Sequence, residues 1–510
     1  MSQSILFPGP ERPDDLPAQP TEDSLRDLGL DQIIAAVTAG WQEFDLAPFL
    51  ACALADAGAI RWRQAIMRDI ERVGVRSAVK AFAGRMREMR VRLDRAAKSY
   101  YPLERARWFL SAAEAYCEGV LQLDRDLRSE TPRSAGLQAW HEWLAAYIHS
   151  RAFARLAADT RSVADGLAAI VVNLHIDGNR IVVLPYAGEG DYTADVEATF
   201  ARFRQGPVTD YRARVPHSTG LNHVEAQIVD RIALLHPEVF RALEAFGADH
   251  ADFVDPAIAR FDREVHFYVA YLAFVEALRS DALPFCYPVI SDTDKTTSVR
   301  DAFDLALARR LHATGTPVVT NSFTWSGDER IFVITGPNHG GKTTFARMVG
   351  QVHHLARLGV PVPGTAARLF LCDRIFTHFE REEDAATLRG KLQDDLLRIR
   401  RILDAATPRS LVVLNEIFSS TTVHDAIVLS GRILSRISEL DALAVCVTFL
   451  GELSTFDRKT VSLAASADPD DPSRRTFTIE PRPAEGVAYA LALARKYRVT
   501  EAHLRERIRT

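Results

Sequence analysis

Glu329-Arg-Ile-Phe-Val-Ile-Thr-Gly336-Pro337-Asn338-His339-Gly340-Gly341-Lys342-Thr343-Thr344 is the stretch that decides how this chain is read. The run Ile331 to Ile334 is short, apolar and β-branched, as a buried strand requires. From Gly336 the residues fit GxxxxGK[ST], and a helix is expected to begin near Lys342. The glycines let backbone N–H groups turn inward around phosphates, where a side chain would block approach. Lys342 is expected to neutralise the β- and γ-phosphates, and Thr343 to offer its hydroxyl to Mg2+. The helix N-terminus adds its dipole. ATP and Mg2+ are therefore the expected cofactors, with Gly336, Pro337, Asn338, Gly340 and Thr344 completing the loop. His339 is either a nucleotide contact or a solvent-facing residue.

Downstream, Ser410-Leu-Val-Val-Leu-Asn415-Glu416 reads as an apolar strand that delivers polar residues to the edge of the phosphate site. Glu416 is placed to orient or deprotonate the attacking water. Beyond about residue 316 short apolar strands alternate with helices, an α/β texture. Glu329–Gly336, Ser410–Glu416, Leu443–Phe449 and Arg474–Glu480 are the expected strands, and Ser466–Arg475 is a surface loop.

Upstream the texture is helical. Residues 24 to 165 are rich in leucine, alanine and arginine with few breakers. Two β-branched runs around Asp177-Gly178 then predict a hairpin, and helices resume after Asn222. Phe261, Val265, Tyr268, Leu272 and Val275 form a stripe at spacings of 4, 3, 4 and 3, read as ordinary core packing of one helix along another. Pro284 and Pro288 close this part. Residues 1–23 read as a Pro-rich, poorly ordered arm.

At 510 residues the chain exceeds one ordinary core. Its composition is that of a soluble globular protein, with no apolar run long enough for a membrane span and no signal-peptide pattern at the start. Five scattered cysteines form no CxxC pair, which argues against a zinc site or disulfide framework and for a reducing cytoplasm. His353, His354 and His378 lack metal-ligand spacing. The net charge of −5 excludes a polycation that coats nucleic acid, yet Arg61 to Lys98 holds twelve basic residues against four acidic. Such a stretch is either a phosphate-contacting patch or a solvated helix face.

Several ordered motifs resemble those of the MutS family of DNA mismatch-repair proteins. Thr335–Thr344 (TGPNHGGKTT) is similar to the MutS phosphate loop, and Leu355–Asp384 to the stretch that follows it, with its Asp-Arg-Ile-Phe-Thr element. Ile402–Ala426 resembles the MutS run through the acidic strand to the Thr-Ser loop and its aspartate. The resemblance is firm over 316–510 and weaker over 24–300, where Asp27–Gly40 and Ala57–Glu71 look like parts of the family's core and lever region.

The implied architecture is an α/β, ABC-type P-loop NTPase domain (316–510). Before it comes a mostly helical core, lever and clamp-like region (24–300) with a small β hairpin. Carried over by position, Asn338, Lys342 and Thr343 would bind nucleotide, Thr343 and Asn415 would hold the metal, and Glu416 would be the catalytic carboxylate. Asp425 would be the aspartate that helps couple the two sites of a dimer. Duplex, mismatched or branched DNA, a second copy of the chain and unidentified repair proteins are the implied partners, in a cytoplasmic or nucleoid-associated setting.

Departures from the family pattern temper this. The family's metal-binding aspartate is Asn415, which lacks the charge that favours Mg2+. The glycine-rich loop after Glu416 is Phe418-Ser419-Ser420, bulkier than expected. Gly390 stands near the serine that reaches across the dimer, and Phe449 where a γ-phosphate-sensing histidine is expected. ATP binding with slow hydrolysis is the expectation.

The N-terminal mismatch-reading domain and the nuclease-type tail of some relatives are expected to be absent. Phe274-Val275-Glu276 is read as packed helix rather than the family's mismatch wedge. Two other classes of function are compatible with a phosphate loop: an ATP-gated protein-interaction switch that has lost DNA binding, and a small-molecule kinase. The kinase is disfavoured because the MutS-like motifs bracket the site and leave no acceptor pocket.

Overall fold

The strand expected before the phosphate loop forms over Ile331–Thr335, with every residue buried. The computed structural model describes residues 4–9, 22–188, 195, 198, 199, 220–280, 282–380, 390–467, 475–484 and 497–508. The Ile331–Thr335 strand lies inside a six-stranded sheet ordered Ile375–Phe379, Leu411–Asn415, Leu443–Val447, Ile331–Thr335, Thr460–Ala467, Arg475–Pro481. The first five run parallel, and only Arg475–Pro481 is antiparallel to its neighbour. The strands Ile331–Thr335, Leu411–Asn415 and Leu443–Val447 are buried throughout, which is why they read as continuous apolar runs instead of alternating ones.

Leu443–Val447 separates the phosphate-loop strand from the strand that ends in Asn415. Two members of the sheet escaped the sequence reading. Ile375–Phe379 carries a threonine and a histidine, and Thr460–Ala467 is dominated by serine and alanine, so neither shows a strong strand pattern. Helices Lys391–Ala405 and Val423–Leu440 share a core with the sheet through Ile399, Ile402, Leu434 and Ile437. Helix Lys342–Leu358 is buried along most of its length. A second sheet, ordered Val289–Ser291, Ala366–Phe370, Thr297–Ala302, Asn321–Trp325, was also unforeseen. Its strands are short and only partly buried.

The described residues divide into two compact units. One joins residues 1–71, 133–137 and 263–510, and the other joins 72–132 and 138–262. The helical region read as a single block over 24–300 therefore contributes to both. In the first unit, part of the Pro-rich arm is packed, contrary to the expectation of a poorly ordered segment. Ser4, Ile5, Leu6 and Phe7 are buried. Ser4 Oγ and the Ile5 amide donate to Glu264, Tyr268 donates to the Ile5 carbonyl, and Arg63 Nε donates to the Leu6 carbonyl at 2.8 Å. These polar partners satisfy a backbone that forms no regular structure of its own. Residues 1–3 and 10–21 of the arm lie outside the described residues.

The second unit pairs two long helices, Val73–Lys98 and Pro102–Glu130, with helices Arg151–Ala168, His223–Leu235 and Pro237–Asp249. Trp140 stacks on Phe261 with ring centroids 3.5 Å apart. The predicted hairpin forms, Val172–Asp177 against Arg180–Pro185, with Gly178 and Asn179 as the two-residue turn. The stripe Phe261, Val265, Tyr268, Leu272 and Val275 is buried along helix Pro256–Arg279, and Phe274-Val275-Glu276 lies within that helix as expected. No helix among the described residues is long and apolar enough to cross a membrane.

Candidate nucleotide site

The phosphate loop leaves the strand at Gly336 and enters the helix at Lys342, as the spacing predicts. Gly336 and Gly341 have φ of 120° and 92°, in the region that favours glycine. A Cβ on Gly340 would lie 2.9 Å from the Pro337 carbonyl and 3.0 Å from Ala465 Cβ, so the loop's close approach to the neighbouring strand requires glycine there too. His339, exposed, also takes a positive φ of 59°.

Lys342 is buried, and its ammonium donates to the carbonyls of Gly336 (2.7 Å) and Pro337 (3.1 Å). The ring of Phe449 lies 4.5 Å from the same nitrogen. The residue that cannot replace a sensing histidine as a hydrogen-bond donor thus makes a cation–π contact with the loop lysine. Burial lowers the proton affinity of Lys342, opposed by the nearby charge of Glu416.

Thr343 Oγ1 donates to Asn415 Oδ1 at 2.9 Å, although another strand separates the two in the sheet. Asn415 is buried at the end of its strand. Glu416 follows with a φ of 55°, its amide donating to the Val447 carbonyl at 2.9 Å. Burial raises its carboxyl above the usual range; Lys342 opposes this and Glu380 adds to it.

A cavity of about 720 Å³ opens over these groups. Asn338 to Thr344 and Glu416 form its polar wall, while Leu307, Leu311, Pro317 and Val319 supply an apolar one. A cavity with one polar and one apolar side matches a molecule with a charged tail and a flat ring. The apolar wall, with Asn321 and Phe477, was missed by the sequence reading. Asn321 donates to the Phe477 carbonyl and accepts from the Ile479 amide, which fixes the last strand of the sheet at the cavity.

Of the remaining sequence candidates, Asp425 stands in the first turn of helix Val423–Leu440, hydrogen-bonded to the capping Thr422. It does not line the cavity. Gly390 caps helix Lys391–Ala405. His353 and His354 are buried, each bonded to a backbone carbonyl, and His378 pairs with Asp395. No group of metal-ligating side chains occurs among the described residues, and none of the five cysteines forms a disulfide.

Part of the basic stretch is engaged in internal contacts. Arg63 is buried; Arg68 covers Tyr287; Arg85 and Arg92 pair with Glu88; Arg90 pairs with Asp262; Arg95 covers Trp108; Lys98 pairs with Asp94. These contacts fit a helix face whose charges are partly compensated from within the chain.

Residues 332–480 match the family model described as MutS domain V. The chain is 30% identical over 171 residues to the DNA mismatch repair protein MutS of Granulibacter bethesdensis, covering 33% of this chain and 18% of that protein. It is 31% identical over 140 residues to the DNA mismatch repair protein MSH3 of Kluyveromyces lactis, covering 27% of this chain and 14% of that one. The matched segments span less than a fifth of either relative's length. The phosphate loop, the strand that ends in Asn415 and Glu416 all lie inside the segment that matches MutS domain V.

Proposed function

We propose that the chain is an ATP-binding protein of the MutS type that couples ATP binding, and slow hydrolysis, to recognition of DNA structure. Its α/β part is read as an ABC-type P-loop NTPase domain. The observation that carries this reading is the Thr343–Asn415 hydrogen bond beneath a glycine loop that converges on Lys342.

In that reading the loop amides and Lys342 bind the phosphates, and the wall of Leu307, Pro317 and Val319 takes the base. Thr343 and Asn415 would hold Mg2+, which when bound neutralises charge developing on the phosphates. Glu416 accepts a proton from the attacking water and orients it. Asn415 contributes an oxygen but no charge, and Phe449 no hydrogen bond, so turnover is slow. A homodimer, with Asp425 coupling one site to the other, completes the proposal. Nucleotide would drive it as a population shift between states of unequal ATP affinity.

Two observations favour a second reading, an ATP-gated protein-interaction switch. Arg85, Arg90, Arg92 and Arg95 of helix Val73–Lys98 are engaged internally. The hairpin face formed by Val172, Leu174, Ile176, Ile181, Val183 and Pro185 is apolar, with Ile176 68% exposed. Binding of homoduplex, mismatched and branched DNA, measured with ATP, with ADP and without nucleotide, separates the two. Salt-sensitive binding that changes with nucleotide supports the first reading. Retained ATP binding with no DNA binding at low salt supports the second.

A further inference from the structure

Beside Glu416 stands a second carboxylate that the nucleotide motifs do not explain. Phe379 and Asn415 are register partners in adjacent parallel strands. Glu380 and Glu416 therefore leave the sheet side by side at its carboxyl end, their backbones about 5 Å apart, the spacing of neighbouring strands. Lys391 Nζ and Ser419 Oγ both donate to Glu380 Oε1, at 2.5 and 2.7 Å.

Lys391 opens the helix Lys391–Ala405, and Ser419 belongs to the turn that follows Glu416. That turn is strained, with Glu416 at φ 55° and Phe418 at φ 61°. Non-glycine residues stay in this region only where surrounding contacts over-determine them. The buried side chain of Phe418 anchors one side of the turn, and the Glu380–Ser419 bond anchors the other. The His378–Asp395 pair, at 3.2 Å, ties the strand bearing Glu380 to the helix bearing Lys391 a second time.

We propose that Glu380 is a positioning residue for ATP hydrolysis: through Ser419 and Lys391 it holds the Glu416–Phe418 turn and so sets the direction of the Glu416 carboxylate. This rests on the ATPase reading above. Among the described residues the hydrogen bonds of Glu380 run to Lys391 and Ser419, so its loss is expected to act on the chemical step and not on nucleotide affinity.

The test uses the full chain and the variants Glu380→Ala, Glu380→Gln, Ser419→Ala, the Glu380→Ala/Ser419→Ala pair and Glu416→Ala. Single-turnover hydrolysis and ATP affinity by equilibrium dialysis are measured separately. Misplacing a catalytic group slows chemistry steeply, so Glu380→Ala and Ser419→Ala are each expected to hydrolyse ATP about tenfold more slowly. ATP affinity is expected to stay within about twofold of wild type, and the double variant to be no slower than the slower single one, since both break one latch.

Glu380→Gln keeps an acceptor for Ser419 and should recover part of the rate. Ser419→Ala removes one exposed hydroxyl and keeps the test valid if Glu380→Ala folds poorly. Rates unchanged in both single alanine variants, or a loss of affinity as large as the loss of rate, overturn the proposal. A wild-type rate no higher than that of Glu416→Ala overturns the ATPase reading itself, and this proposal with it.

Discussion

Replacing Asn415 by aspartate should strengthen Mg2+ dependence in a way that the structure lets one size. The substitution keeps the oxygen that accepts from Thr343 at 2.9 Å and exchanges the amide nitrogen for a charged oxygen. A unit charge pair about 4 Å apart at an effective dielectric of about 20 is worth about 4 kcal/mol, and a divalent ion about twice that. Burial opposes the gain, because a buried carboxylate loses hydration worth several kcal/mol. Asn415 is only 7% exposed, and Glu416 follows it directly. The surplus is expected at about 1.4–2.8 kcal/mol, a ten- to hundredfold drop in the Mg2+ concentration that half-saturates hydrolysis at saturating ATP.

The same reasoning requires the variant to be less stable without metal, with a lower melting temperature that Mg2+ and ATP together restore. The assay is a Mg2+ titration of ATP turnover, paired with melting curves with and without both ligands. A half-saturating Mg2+ concentration equal to or above that of wild type would refute the placement of Asn415 at the metal.

Other perturbations probe separate parts of the molecule. Phe449→His is expected to raise turnover several-fold by restoring a donor beside Lys342, where the ring now makes a cation–π contact; an unchanged rate in steady-state assays would count against a role for position 449. Leu6 is fully buried, so Leu6→Ala should cost about 2–5 kcal/mol in urea unfolding; a loss below about 1 kcal/mol would show that the arm does not contribute to the core. Burial pushes His353 and His354 down to about 4, so the unfolded chain takes up protons first as pH falls. Their contribution is intact above about pH 6.5, is lost as pH falls towards 4, and at pH 5 the loss is about 2 kcal/mol per histidine. His354→Asn should flatten the stability profile between those values, and a wild-type profile already flat there would refute the argument.

The parts of this protein written locally in the chain were legible without the structure. The strand Ile331–Thr335, the glycine loop and the helix from Lys342 follow from neighbours in sequence, because backbone curvature and hydrogen bonding act over a few residues. The hairpin around Gly178 and the buried stripe on helix Pro256–Arg279 follow from period and turn chemistry in the same way.

What lay beyond reach depends on groups far apart in the chain. Thr460–Ala467 is a strand because it fills the space beside Ile331–Thr335, a pairing that its serines and alanines do not announce. Leu307 and Pro317 become a cavity wall, and Glu380 becomes a neighbour of Glu416, only through sheet order and register. Arg63 illustrates the same limit in reverse: it reads as part of a basic surface, yet its guanidinium is buried against carbonyls of Leu6 and Leu358. Sequence specifies which groups are present and what each prefers locally. Which of them meet is decided by the folded chain, where burial and partner atoms from distant segments set each group's charge, orientation and use.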